Sequence, residues 1–129
     1  MRNIFSIFLI ILAEVAFPQI QTGKWRDHFS YNYGTSVCLG DNKIYCATPT
    51  GIFWYNSESG EIGKINRING LTDINISSID YSSTQQVLAV GYENGNIDFV
   101  FKNRILNLPQ IKEKLLQGSK RINGFTFYN

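Results

Sequence analysis

From residue 35 onward the chain is a succession of short apolar runs separated by polar turn formers. The runs are "TSVCL" (35–39), "KIYCAT" (43–48), "GIFWYN" (51–56), "EIGKIN" (61–66), "ISSIDY" (76–81), "VLAVGY" (87–92), "IDFVF" (97–101), "RILNL" (104–108) and "INGFTF" (122–127). Each is rich in β-branched or aromatic residues and is bounded by Gly, Asn, Asp, Ser or Pro, which predicts strands joined by tight turns. Close spacing of so many runs predicts an antiparallel meander. "LPQIKEKLLQ" (108–117) departs from this pattern: Ile111 and Leu115 stand four apart, which predicts one short amphipathic turn in an insertion loop.

The runs repeat. The obvious echo, "RINGLT" (67–72) with "RINGFT" (121–126), has a spacing of 54, but extending it sets Lys64-Ile65-Asn66 on Gly118-Ser119-Lys120 and preserves nothing. Aligned by position instead, Ile76, Ile79 and Tyr81 fall on Ile122, Phe125 and Phe127 at 46, and Ile79 and Tyr81 fall on Val37 and Leu39 at 42. "IYCATPTG" (44–51) falls on "LAVGYENG" (88–95) at 44, bringing Gly51 onto Gly95. A period of that length carrying four strands is the spacing of a β-propeller blade, whose four-stranded sheet buries both faces only by stacking between neighbours. The expected fold is therefore all-β, an incomplete β-propeller fragment. It has two four-stranded antiparallel blades, about 35–66 and 76–108, plus the first strand of a third at 122–127. A closed ring takes at least ~4 blades. "GKWRDHFSYN" (23–32) stands to the first unit as "IGKINRING" does to the second. It reads as an orphan outermost strand, about 24–30, expected to be poorly paired or held on a noncognate edge.

The N-terminus adds a compartment. "MRNIFSIFLIILAEVAFPQ" has a basic start at Arg2, an apolar run from Ile4 to Leu12 and small residues at Ala13 and Ala16, the layout of a secretory signal peptide over 1–16. Glu14 and Pro18 end the run well short of the ~20 residues of a spanning helix. No cysteine follows closely enough for a lipid anchor. The remainder, 17–129, is one domain-sized stretch of propeller in an oxidising compartment. Its two cysteines, Cys38 and Cys46, flank the hairpin signal "LGDNKIY". A three-residue loop, Asp41 to Lys43, would set them opposite each other, whereas the two-residue loop Asp41-Asn42 would not. Register thus decides whether they can bond, and two small buried thiols is the plainer expectation.

Chemistry is sparse. A net charge of +2 is too balanced to imply nucleic acid. His28 is the one histidine, and its neighbour Asp27 points to the opposite face of a strand, so no Ser-His-Asp or Cys-His set and no zinc site can be assembled. "GYENGNI" (91–97) lacks the lysine and following helix of a phosphate loop and reads as a hairpin turn. No catalytic, cofactor-binding or metal-binding residue is assigned, and no cofactor is expected. The stretch from Lys102 to Arg121 carries six basic residues against Glu113 alone, which suits either a solvated loop or an anionic polymer such as lipopolysaccharide. Phe53, Trp54, Tyr55, Phe99 and Phe101 would form a glycan platform if exposed, but strand alternation buries about half of them between blades.

"NGLTDINISSIDYSSTQQVLAVGYENGNIDFV" (69–100) resembles the two-component-regulator propeller repeat: Asn-Gly-Leu, an inner strand, a turn, then a strand followed by Asn-Gly and an outer strand. In order, "GKWRDHFSYN", "KIYCAT", "GYENGNID" and "KRIN" resemble the N-terminal propeller family of PorZ, the outer-membrane β-propeller component of type IX secretion. The resemblance covers about 23–127. It implies a non-enzymatic, exported scaffold at the outer membrane or cell surface. Such a scaffold works with the sortase of the secretion machinery and binds anionic lipopolysaccharide, without nucleic acid. Members of that family are longer, with further blades, a second propeller and a C-terminal domain. No binding residue carries over, because the matched motifs build blades. The same repeats also form periplasmic ligand-sensing propellers of hybrid two-component regulators, where a membrane helix and kinase follow downstream. Propeller lyases and hydrolases need an axial cluster of His or acidic residues that these runs do not supply.

Overall fold

The computed structural model describes residues 31–128. The signal peptide over 1–16, the orphan strand about 24–30 and His28 therefore lie outside the described residues.

Among the described residues, eight strands form two four-stranded antiparallel sheets of meander topology. The first contains β1 (Ser36–Gly40), β2 (Lys43–Thr48), β3 (Gly51–Asn56) and β4 (Ile62–Asn66); the second contains β5 (Ile76–Ser82), β6 (Val87–Tyr92), β7 (Ile97–Val100) and β8 (Ile105–Leu108). One helical turn, α1 (Gln110–Glu113), follows where the apolar spacing of 108–117 predicts it. The all-β reading, with two blade-like sheets, is borne out.

The turns explain the register. Asp41 and Asn42 both have positive φ (52° and 55°), the geometry of a two-residue type I′ turn. This turn sets Gly40 opposite Lys43, and hence Cys38 opposite Tyr45 and Cys46 opposite Val37. The two thiols fall on opposite faces of the sheet and both are free. In the β3–β4 turn, Asn56 Oδ1 accepts the backbone N–H groups of Glu58 and Ser59 at 2.9 and 3.0 Å, an Asx turn that replaces ladder bonds. After β4 the "RING" loop closes on Asn66, whose carbonyl accepts the Leu71 N–H at 2.9 Å and whose side chain accepts that of Ile68.

The pairing reproduces the repeat read from the sequence. Val37 faces Cys46 as Ile79 faces Val90, and Leu39 faces Ile44 as Tyr81 faces Leu88. The sheets stack face to face. Tyr45, Ala47 and Ile52 of the first meet Ile79, Leu88, Val90 and Tyr92 of the second, with Leu71 and Ile76 closing the layer and Trp54, Ile65, Tyr81 and Val100 at its margin. Each fully buried aliphatic side chain in that layer stabilises by roughly 1.5–3 kcal/mol. The start of β5 is tied to the β2–β3 turn of the first sheet, where the Asn75 and Ile76 N–H groups donate to Pro49 O.

The outer faces differ. On the first sheet Val37, Leu39 and Ile62 remain 61, 72 and 69% exposed, although they are apolar and in register on one face. On the second sheet that face carries the chain's last described segment: a Cβ at Gly91 would meet Ile122 and Phe125 at 2.5–3.0 Å, so only glycine admits them. Ile122 N–H donates to Tyr92 O and Ser77 Oγ–H donates to Ile122 O. Ile122 thereby repeats the joint that Ile76 makes with Pro49, as their spacing predicts. The expected first strand of a third blade, 122–127, nonetheless forms no ladder. An inner strand is held by the second strand of its own sheet, as β1 is by β2, and no described segment pairs with 122–127.

Candidate functional site

Two polar features stand out against this scaffold. The first is sealed. Asp98 on β7 has no exposed surface, yet its carboxylate is fully partnered: Oδ2 accepts the Tyr92 hydroxyl (2.6 Å) and the Thr72 N–H (2.9 Å), and Oδ1 accepts the Thr72 hydroxyl (2.7 Å) and the Asn107 amide (2.9 Å). Asn107 Nδ2 also reaches Asn96 Oδ1 at 2.8 Å, and Asn96 Nδ2 donates to Thr72 Oγ1 at 2.9 Å. Burial, then the bond to Asp98, pushes the Tyr92 hydroxyl far above its ordinary value. With no free lone pair directed outward, this cluster fastens the Leu71–Thr72 crossing onto the second sheet.

The second feature is open. A cleft of about 670 Å³ lies between the sheets on the side of the β1–β2, β5–β6 and β7–β8 turns. Its aromatic lining depends on glycines. Trp54 lies against Gly63, where a Cβ would stand 2.2–2.7 Å from the indole, and Tyr81 lies against Gly40, where the distances would be 2.0–2.7 Å. Tyr81 stacks on Tyr45, centroids 5.9 Å apart and planes 13° from parallel. Lys43 Nζ sits 4.9 Å from the Trp54 ring centroid and 3.2 Å from Asp41 Oδ2, and the Arg104 guanidinium sits 5.0 Å from the centroid of Phe101. Lys64 and Lys102 also line the cleft, where Asp41 is the sole carboxylate among the described residues. Burial, followed by the influence of Tyr81, Asp41 and Cys38, pushes the Tyr45 hydroxyl up to about 12, and burial and Asp41 raise that of Tyr81. Both phenols are neutral at physiological pH, so among the described residues the local charge is set by Lys43, Lys64, Lys102 and Arg104 against Asp41.

The residues weighed in the sequence separate accordingly. Of the five aromatics, Trp54 and Phe101 reach the cleft, Phe53 and Tyr55 lie on the outer face of the first sheet, and Phe99 on that of the second. The basic stretch divides too: Lys102 and Arg104 line the cleft, while Lys112 binds Asp73 at 2.6 Å and Arg121 pairs with Glu93. Asn94 Nδ2 donates to the same Asp73 oxygen. Burial would raise the Asp73 pKa, but these bonds, the Ile74 N–H and the Lys112 charge outweigh it and hold the carboxyl below its ordinary range. The Cys38 thiol is pushed up to about 12 by burial and then Asp80, and burial also raises that of Cys46. Among the described residues no three His, Cys, Asp or Glu side chains converge as a metal site, and no helix is long and apolar enough to cross a membrane.

Comparison with known proteins gives this geometry a context. Residues 44–129 match the family model of the PorZ N-terminal β-propeller domain of type IX secretion. The chain is 27% identical to the solved structure of PorZ from Porphyromonas gingivalis, described as an essential bacterial surface component of the type-IX secretion system. That superposition has a TM-score of 0.60 and covers 64% of this chain and 11% of that one. A curated F-box/kelch-repeat protein of Arabidopsis thaliana is 29% identical over 104 residues, 74% of this chain and 28% of the relative. Kelch repeats also build propeller blades. The chain thus spans only a small part of either relative.

Proposed function

The chain belongs to the PorZ N-terminal β-propeller family, and from this premise we propose that it is a non-enzymatic, exported scaffold of the type IX secretion machinery. The observation that carries the reading is the family match over 44–129, together with the 27% identity to a surface component of that system. Its place is the outer membrane or cell surface, its protein partner the sortase that processes secreted cargo, and its second partner anionic lipopolysaccharide. The fold suits such work. A propeller blade offers turns on a rigid stack of strands, and here the polar residues near the surface are spent on fastening loops and lining a cleft.

The test is affinity isolation of the full-length gene product from its own host under gentle extraction of the outer membrane. Co-isolation of the sortase with lipopolysaccharide is expected. Recovery of the protein with a membrane-embedded kinase, and without sortase, would overturn the proposal in favour of a sensor propeller.

A further inference from the structure

We propose that Asn123 and Gly124 form a self-modifying site, at which the folded chain converts asparagine to isoaspartate without an enzyme and so loosens Phe125 from the second sheet. The inference stands on the chemistry and geometry of this segment and is independent of the secretion reading.

The reaction needs only the chain and water. The Gly124 backbone nitrogen attacks Asn123 Cγ. The new N–Cγ bond replaces Cγ–Nδ2, and Nδ2 departs as ammonia with the proton that the backbone nitrogen gives up. Water then opens the cyclic imide at one of its two carbonyls. Opening at the side-chain carbonyl yields aspartate, and opening at the main-chain carbonyl yields isoaspartate, whose side-chain methylene has entered the backbone. Nothing is oxidised or reduced. Glycine after asparagine favours the attack, because no Cβ crowds the nitrogen and the backbone reaches unusual conformations at little cost.

Three Asn-Gly pairs occur, at 69–70, 94–95 and 123–124, and the fold treats them differently. Asn69 is held at both ends of its amide: Oδ1 accepts the Asn66 N–H at 2.6 Å and Nδ2 donates to Lys64 O at 2.8 Å. Asn94 is held likewise, with Oδ1 accepting the Asn96 N–H at 3.0 Å and Nδ2 donating to Asp73 Oδ2 at 2.7 Å. The nitrogen that would attack it is also occupied, since the buried Gly95 N–H donates to Tyr92 O at 3.2 Å. Turning either side chain onto the next nitrogen forfeits two hydrogen bonds, which slows cyclisation by about tenfold or more. Asn123 carries no such restraint. It and Gly124 are exposed, its side chain makes no hydrogen bond among the described residues, and a Cβ at Gly124 would meet nothing within 4 Å.

The pair lies between two anchors. Ile122 is tied to Tyr92 O and Ser77 Oγ, and both Ile122 and Phe125 rest on Gly91. Isoaspartate lengthens the main chain between these anchors and leaves a carboxylate there. Ile122 precedes the change and keeps its bonds, whereas Phe125 no longer falls opposite Gly91.

The experiment ages the full 129-residue chain at neutral pH and physiological temperature, native and in guanidinium chloride. Timed samples are digested, and deamidation of each Asn-Gly peptide is quantified by mass spectrometry, with isoaspartate told from aspartate by electron-transfer fragmentation. In the native chain Asn123 should convert about tenfold faster than Asn69 or Asn94, and in denaturant the three rates should converge. The Gly91 proton resonances, which lie against the Phe125 ring, should move with conversion toward those of a Phe125→Ala variant. Asn123→Gln, aged in parallel, should keep them unchanged. Native conversion of Asn69 or Asn94 as fast as that of Asn123, a ranking that survives denaturation, or Gly91 resonances unmoved by conversion would overturn the proposal.

Discussion

Replacing Asp98 with asparagine changes one atom in a buried cluster, and the cluster's geometry says why that atom matters. Each carboxylate oxygen meets one hydroxyl, which can turn to accept, and one group that can only donate as placed: Thr72 N–H at Oδ2 and the Asn107 amide at Oδ1. Whichever way the substituted amide is turned, its NH₂ confronts a donor. Rotating Asn107 to offer its oxygen would forfeit its bonds to Asn96 Oδ1 and Ile97 O. At about 1.5–3 kcal/mol for a hydrogen bond to a charged group, and about 1–3 for a buried donor left unsatisfied, Asp98→Asn should cost about 3–5 kcal/mol. The assay is urea unfolding of the full chain followed by circular dichroism. Asp80→Asn is the control, since Asp80 is partly exposed and its carboxylate accepts the N–H of adjacent Tyr81. A loss at Asp98 no larger than that at Asp80 would refute the claim that this network fastens the Leu71–Thr72 crossing to the blade.

Other consequences are equally direct. Gly63→Ala should cost about 1–3 kcal/mol by overpacking the Trp54 indole and should shift its emission to the red; unchanged stability and emission would mean that the indole does not rest there. Leu39→Lys and Ile62→Lys, on the exposed face of the first sheet, should change stability by less than about 0.5 kcal/mol and reduce self-association in concentration-dependent sedimentation. Cys38, with its thiol raised to about 12, should react with a thiol reagent at pH 8 more slowly than a small free thiol, and mild oxidation should leave the full chain without a Cys38–Cys46 bond. The depressed Asp73 pKa contributes stability that is fully present above the unfolded value of about 3.9 and is lost as pH falls through the lower folded value. Hydrogen exchange of the α1 segment should therefore quicken only in that acid range, and Lys112→Gln should flatten the profile.

How far the sequence could be read depended on the range of each interaction. Strands and their period were legible because alternation and turn chemistry are local: the type I′ turn at Asp41-Asn42 fixes the register that sends Cys38 and Cys46 to opposite faces. The literal "RING" echo misled for a physical reason. Its first copy serves a loop tied to Asn66, whereas the second leads into a segment resting on Gly91. The strand expected at 122–127 failed as a ladder because the alternation that marks a strand does not supply its neighbour. Asp98 passed unnoticed since its donors, Thr72, Tyr92 and Asn107, lie on different elements and only the fold brings them together. The cleft was hidden likewise: Lys43 belongs to one sheet, Lys102 and Arg104 to the other, and the basic stretch after Lys102 gave no sign that its first two cations would part from the rest. Gly40 and Gly63, inside strand patterns, were the available signal of rings packed close against the backbone.

The central claim, that this propeller serves type IX secretion, is tested most directly by deleting the gene in its own host and following a secreted cargo protein by surface labelling and by its processing. The account predicts cargo retained or released unprocessed, without attachment to the surface, and restored by the intact gene. Cargo that is still cleaved and anchored normally in the deletion strain would contradict it.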